Sequence, residues 1–246
     1  MEIIGLDNLP LIRDGDDLVE IISSALKEKG IALKNNDIVA VTEKIVAKAE
    51  GRLVDLDKVK PSRRAVVLGR KTEKDPRIVE LILRESKEIL AVGKNFIIVE
   101  TKQGFICANA GVDQSNVEKG KAKLLPRNPD RSAKRIRKGL EEKIGKKIGV
   151  IIADSFGRPF RYGTVGIAIG ASGIKALWDR RGDKDLFGRE LQITRVAVAD
   201  CLASAANMVM GEAKEKIPIA IIRGLNFSGS GKARDLIRKK REDVFR

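Results

Sequence analysis

The chain has 246 residues, carries a net charge of +15 with a pI near 9.9, and contains no histidine. The missing imidazole excludes Ser-His and Cys-His nucleophiles and any His-ligated metal, so chemistry must rest on carboxylates, hydroxyls, Lys, Arg, backbone groups or an oxygen-held cation. Cys107 and Cys201 lie far apart, which argues against a disulfide framework or a thiolate zinc site; no apolar run is long enough to span a bilayer and residues 1–7 lack a signal-peptide pattern, so a cytoplasmic protein is expected.

Residues 16–29 read as an amphipathic helix with acids at its start and Gly30 at its end. Asp37-Ile38-Val39-Ala40-Val41-Thr42 reads as a buried strand, and 76–91 as a helix. Two apolar runs, 96–100 and 105–108, flank Thr101-Lys102-Gln103-Gly104 and signal a hairpin. A basic helix is expected over 130–145, with Asp130 as its cap. The apolar run 149–153 predicts a buried strand ending at Asp154, and 165–171 another. Apolar positions 196, 199, 202, 206, 209 and 213 step by three and four and mark a long helix over 194–215. A strand at 217–222 and a final helix at 232–241 complete the pattern. Strands alternating with helices predict an α/β protein built on a substantial sheet, and no Pro/Gly/Ser-rich linker divides residues 1–246.

The positive charge favours anionic partners: nucleic acid, or phosphorylated or polycarboxylate small molecules. Aromatics make up only 4% and none interleaves with the basic runs, which argues against a single-strand stacking platform. Abundant Lys, Arg and Glu also fits heat adaptation through ion-pair networks, so part of the charge can serve stability.

Three segments carry residues suited to chemistry. Asn109-Ala110-Gly111-Val112-Asp113-Gln114-Ser115-Asn116 follows a strand and offers small residues and oxygens; it reads as a ligand loop or as a plain Asx turn. Asp154-Ser155 ends a buried strand next to Gly157, Arg158 and Arg161, as an oxygen site for Mg2+ or Mn2+ or as a helix cap. Lys44 and Lys48 stand one helical turn apart after a strand, to hold phosphate or to face solvent. Gly229-Ser230-Gly231-Lys232 is no phosphate loop, since Asn226 stands where glycine is needed and Ala233 where Ser or Thr is needed.

Together these segments resemble the coenzyme F420-0:L-glutamate ligase (gamma-glutamyl ligase) family. The likeness runs through Thr42-Glu43-Lys44-Ile45-Val46-Ala47-Lys48-Ala49-Glu50-Gly51-Arg52, the loop 108–116, Leu125-Pro126 with Pro129-Asp130, and Asp154-Ser155-Phe156-Gly157-Arg158-Pro159. It continues through Ala168-Ile169-Gly170, 185–191, Val209-Met210-Gly211, Arg223-Gly224 and Asp243-Val244-Phe245-Arg246. The resemblance implies an α/β fold with a mixed sheet peculiar to the family, an intertwined homodimer, and one ligase domain over 1–246. It implies GTP as co-substrate, Mn2+ or Mg2+ with K+ as a further ion, and L-glutamate and coenzyme F420-0 as the other partners, with neither nucleic acid nor membrane involved. Asp113, Asp154 and Ser155 match metal-site positions; Glu212 stands where the family pattern has Gln. Asp113 and Asp154 are the expected catalytic pair. Leu9, Pro10, Leu11, Ile12, Glu43, Lys44, Lys48, Asn116, Met210, Gly211, Glu212, Ala213, Lys214, Glu215, Lys216 and Ile217 match GTP-contacting positions, although relatives carry a small hydroxyl residue where Glu43 stands. The implied chemistry is phosphoryl transfer from GTP to a carboxylate, giving an acyl phosphate that glutamate's amine then attacks. Such a reaction needs positioning and charge neutralisation and no histidine base.

Overall fold

A computed structural model of the chain describes residues 1–245; Arg246, the last residue of the closing motif, lies outside the described residues. Its first half comprises β1 (Glu2–Leu6), α1 (Leu18–Glu28), β2 (Ile38–Thr42), α2 (Glu43–Ala49), β3 (Leu53–Asp55), α3 (Arg63–Thr72), α4 (Pro76–Glu85), β4 (Ser86–Gly93), β5 (Phe96–Thr101), β6 (Ile106–Ala108) and β7 (Lys121–Lys123). Then come α5 (Pro129–Ile144), β8 (Gly149–Arg158), β9 (Arg161–Ser172), β10 (Trp178–Asp179), β11 (Arg195–Val196), α6 (Val198–Met210) and β12 (Ile219–Arg223).

The main sheet has the order β1-β12-β2-β8-β9. Its neighbours are antiparallel except β2 and β8, which run parallel at its centre. The mixed α/β architecture expected from the sequence is therefore present. Both faces of the sheet are covered, which explains why its strands read as continuous apolar runs. Val39, Val41, Val150, Ile152, Ile219 and Ile221 face a core shared with α1 and α5. The alternate residues Ile38, Ala40, Ile151, Ala153, Ala220 and Ile222 face a second core shared with α6. A third core gathers Leu56, Val79, Ile82, Ile97, Val99 and Ala122 from α4, β5, β7 and the turn after β3. None of the described helices is long and apolar enough to cross a membrane.

Several boundaries differ from the sequence expectation. The helix expected over 76–91 stops at Glu85, and 86–93 is β4, paired with β5 through a turn at Asn95, whose φ is 65°. Cross-strand pairing outweighs the helical propensity of Lys87, Glu88, Leu90 and Ala91. The strand expected to end at Asp154 runs on to Arg158, because β9 pairs with it along its whole length, from Val150↔Ser172 to Arg158↔Arg161. The 194–215 helix is shorter: 195–196 is taken up by β11, and Gly211 at φ 72° stops α6. The final helix of 232–241 is absent; two short 3-10 turns, Ala233–Leu236 and Lys240–Glu242, stand there. Asp235 accepts the Lys232 amide and Asp130 of α5 accepts the Ala233 amide, at 2.7 and 2.8 Å, and these bonds hold the start of this segment as a short turn docked on α5. Asn128, not Asp130, caps α5, by accepting the Arg131 amide at 3.1 Å. Asp130 instead accepts the Ala171 and Ala233 amides at 2.9 and 2.8 Å, tying α5 to the edge strand and the C-terminal segment.

Small residues let α6 lie close on its face of the sheet. A Cβ at Gly166 would stand 2.4 Å from the Ala203 carbonyl oxygen and 2.8 Å from the Ser204 amide, both backbone atoms. Gly166→Ala is expected to cost about 1–3 kcal/mol or more by overpacking, read by denaturant unfolding. Gly157→Ala, at a site with nothing within 4 Å, serves as the neutral control.

Candidate functional site

Parallel pairing sets Thr42 beside Ala153 and β2 ends there, so Glu43, the first residue of α2, comes to lie near Asp154, the first residue of β8 beyond that pairing. Two acids in one low-dielectric corner need a counter-charge. Lys123 supplies it from β7: its ammonium bonds Glu43 Oε1, and each of these two side chains is only 2% exposed. Glu43 Oε2 is buried without a hydrogen-bond partner among the described residues. Lys123 also anchors the loop that follows β6. Its amide donates to the Asp113 carbonyl at 2.8 Å and its carbonyl accepts the Asp113 amide at 3.0 Å.

That loop is folded onto α2. Asp113 accepts the Ser115 amide at 2.9 Å and the Ser115 hydroxyl, and the Lys44 ammonium stands 3.0 Å from its carboxylate. Lys44 also donates to Ser115 Oγ, while Lys48, one turn on, donates to the Asn116 carbonyl at 2.8 Å. The expected pairing of these lysines on one face of a helix is present, and both reach the Asp113 loop. From the other side, Asp154 accepts the Ser155 amide at 2.8 Å. Ser155 donates its hydroxyl to Glu212, and Asn207 of α6 donates to Ser155 Oγ and Glu212 Oε1 at 2.9 and 2.7 Å. Asn116 closes the ring by donating to the Ala213 carbonyl at 2.9 Å.

The charges modify one another. Burial pushes the Glu43 carboxyl up to about 7, against the pull of Lys123 and with the push of Asp154. Burial also raises Asp154, opposed by Lys123. Burial works against the Lys123 ammonium, yet the surrounding Glu43, Asp154 and Asp113 carboxylates prevail and raise its pKa. Burial acts upward on Asp113, but the Ser115 bonds and Lys44 prevail and lower it. Lys48 is lowered by burial and by its neighbour Lys44.

The other expected positions lie on two segments, 9–12 and 210–217. Leu9 and Ile12 pack into the core beneath α1, Pro10 and Leu11 are exposed, and the loop ends where the Gly15 amide donates to the Ala49 carbonyl at the end of α2. After α6, Met210 is buried and Gly211 turns the chain. Glu215 accepts the Ala213 amide at 2.7 Å, Lys214 and Lys216 are exposed, and Ile217 lies over Gly5 of β1. Met210 and Ile217 thus contribute packing rather than polar contacts. Sequence reasoning missed Lys123 and Asn207. Lys123 sits in Lys121-Ala122-Lys123-Leu124, which gives no sign that this lysine is buried; Asn207 stood in a helix read only for its apolar stripe.

No three carboxylates or thiols among the described residues converge as a ready-made metal cage. The oxygens come as two small groups, Asp113 with Ser115, and Asp154 with Ser155 and Glu212. Such a sparse set suits Mg2+ or Mn2+, which accept one or two protein carboxylates and complete their shell with water and phosphate oxygens.

A mixed α/β sheet with carboxylates, hydroxyls and lysines gathered where β2 ends beside β8 places the chain among α/β proteins that carry a polar side-chain cluster next to a central parallel pair. Within that class, the chain belongs to the F420-0:Gamma-glutamyl ligase family, whose profile matches residues 7–224. It is 58% identical to the coenzyme F420:L-glutamate ligase of Methanocaldococcus jannaschii, over 100% of this chain and 97% of that protein. Proteins of the same name from Methanothermobacter thermautotrophicus and Archaeoglobus fulgidus are 49% and 44% identical, each over 100% of this chain and over 99% and 96% of their own length.

Removing one member of the buried pair strands the other. Lys123→Met is expected to cost about 3–5 kcal/mol in denaturant unfolding at neutral pH, with the Glu43→Gln/Lys123→Met double variant recovering much of it. An equal loss in the double variant would show that lost packing, not charge, sets the cost. The pH dependence has a defined sign. Glu43 binds its proton more tightly folded than unfolded, so its contribution to stability is complete below about 4.5 and is lost as pH rises to about 7. The stability of the wild type relative to Glu43→Gln is therefore expected to fall across that window and level off above it. A relative gain with rising pH would place the folded pKa below the ordinary value.

Proposed function

We propose that this chain is a GTP-dependent ligase that joins L-glutamate through a gamma-linked amide to coenzyme F420-0, in coenzyme F420 biosynthesis. The observation that carries the reading is the meeting of Asp113, Asp154, Ser155, Glu212, Lys44 and Lys48 in one crevice, in a chain whose relatives bear that ligase name over their full length. In this reading residues 1–246 act as one ligase domain, and two copies form an intertwined homodimer. The dimer is supported by exposed apolar side chains on the β8–β9 hairpin tip, Phe160 and Tyr162, and on the 180–194 segment, Leu186, Phe187 and Ile193.

Asp113, Asp154, Ser155 and Glu212 would hold Mn2+ or Mg2+, with K+ as a further ion. When bound, the divalent ion neutralises the triphosphate and polarises its terminal phosphoryl group. Lys44 and Lys48 hold phosphate charge from the α2 side, and Asn116 latches the Asp113 loop to the 210–217 segment that borders the nucleotide. The acceptor's carboxylate attacks the γ-phosphorus as it stands; an acyl phosphate forms and GDP leaves. The glutamate amine then attacks the acyl carbon, the amide bond forms, inorganic phosphate leaves and the amine gives up a proton. Positioning and charge neutralisation supply the rate, in keeping with a chain that has no histidine.

The test is to incubate the purified chain with GTP, Mn2+, L-glutamate and the coenzyme precursor, and to follow products by mass spectrometry. Glutamyl adducts with equivalent GDP are expected. GTP turnover without an adduct would make the chain a different phosphotransferase. Asp154→Asn is expected to lower turnover by about 100-fold or more while the melting curve stays cooperative; an active variant would remove Asp154 from the site.

A further inference from the structure

The basic residues of α5 do not simply face solvent. Arg131, Lys134, Arg135 and Lys138 fall at i, i+3, i+4 and i+7 and form one stripe. Ala133, Ile136 and Leu140 point the other way, into the core. Along the stripe, the segment 229–234 forms a second wall, and between the two lies an open concave pocket of about 810 Å3. Lys232 stands on that wall.

The wall is backbone-thin where it meets the sheet edge. A Cβ at Gly231 would lie 2.5 Å from the Ala176 amide, so the loop lies flat and places no side chain in the pocket there. The charge is uneven. Arg135 pairs with Glu50, Arg137 with Glu141 and Arg234 with Asp130. No described acid pairs with Arg131, Lys134, Lys138 or Lys232. Four cations without an ion-pair partner among the described residues thus share one concavity whose one lining acid, Asp130, is taken up by Arg234, and a multivalent anion there would relieve their mutual repulsion.

We propose that this pocket binds a small molecule bearing two or more phosphate groups, independently of the acidic crevice. Its volume is in the range of small-ligand sites. No aromatic side chain lines it, so stacked bases of a nucleic acid find no platform. It is also a different place from the acidic crevice. Ser172 on its rim pairs with Val150, four residues before Asp154 on β8, or roughly 13 Å along the strand. The two sites differ in how they hold phosphate: the acidic one needs a divalent cation, whereas the basic one does not.

That difference defines the experiment: calorimetric titration of the full chain with inorganic tripolyphosphate in the presence of EDTA. Saturable binding of one ion per chain is expected, weakening between about 50 and about 200 mM salt. Lys134→Glu/Lys232→Glu should weaken it by about tenfold or more, as befits two charge-assisted contacts, and Asp154→Asn should leave it unchanged. Lys134→Gln/Lys232→Gln serves if the charge reversals disturb the melting curve. GTP titrated in parallel separates a nucleotide from a bare oligophosphate, and either upholds the site. Absence of saturable binding, or binding abolished by Asp154→Asn and kept by the Lys134/Lys232 variants, would overturn it. Tighter binding of a short RNA duplex through the same lysines would overturn the small-ligand assignment.

Discussion

The central parallel pairing of β2 with β8 is the constraint on which the rest depends. In an otherwise antiparallel sheet it points two adjacent strands the same way, with Thr42, the last residue of β2, level with Ala153 of β8, which runs on beside β9 to Arg158. Where β2 stops, β8 loses its neighbour on that side while keeping β9 on the other, and in α/β sheets the carboxyl side of parallel strands is where ligands settle. One residue beyond the register, the chain places Glu43 and Asp154. A slip of one residue would turn the faces of Val39, Ala40 and Val41 over and swap a large-residue core for a small-residue one. The apolar pattern on both faces therefore fixes the register, and through it the acids.

Everything else in the crevice is brought there by segments remote in sequence. Lys123 reaches Glu43 across 80 residues, and Asn116 reaches Ala213 across 97. These links are short-range and directional, so the loop 113–116 and the segment 210–217 depend on each other's geometry. The close approach of α6 at Gly166 matters for the same reason, because α6 carries Asn207 to Ser155. Packing on the far face of the sheet thus positions a hydroxyl in the crevice.

The buried parts of the fold were legible because a sheet covered on both sides writes itself as apolar runs, at 37–42, 149–153 and 217–222, and a covered helix as a stripe, at 16–29. The cluster was legible in part: Lys44 and Lys48 lie on the helix that follows β2 and Asp113 in the loop that follows β6, while Asp154 follows the apolar run 149–153. What stayed hidden has one cause, which is that a pairing partner was distant. Segment 86–93 has helical composition and becomes a strand only because β5 lies beside it. Strand β8 outruns its apolar core because β9 does. Lys123 resembles any surface lysine until Glu43, 80 residues away, is folded over it.

The buried Glu43–Lys123 pair also bears on why an acid is tolerated at position 43. An unpaired Glu43 would add a negative charge to a corner already holding Asp154, raising the cost of both. Pairing with Lys123 cancels that charge locally, so the acids left without a buried counter-charge are Asp113, Asp154 and Glu212, with Lys44 held against the first. The net field of the crevice is set by those groups, and the Glu43–Lys123 pair acts as a neutral floor beneath them. The opposite holds at α5, where cations gather without partners. A chain with a net charge of +15 thus separates two local fields of opposite sign about one sheet, and in the proposed reading each would hold phosphate by a different route, one through an intervening cation and the other by direct contact.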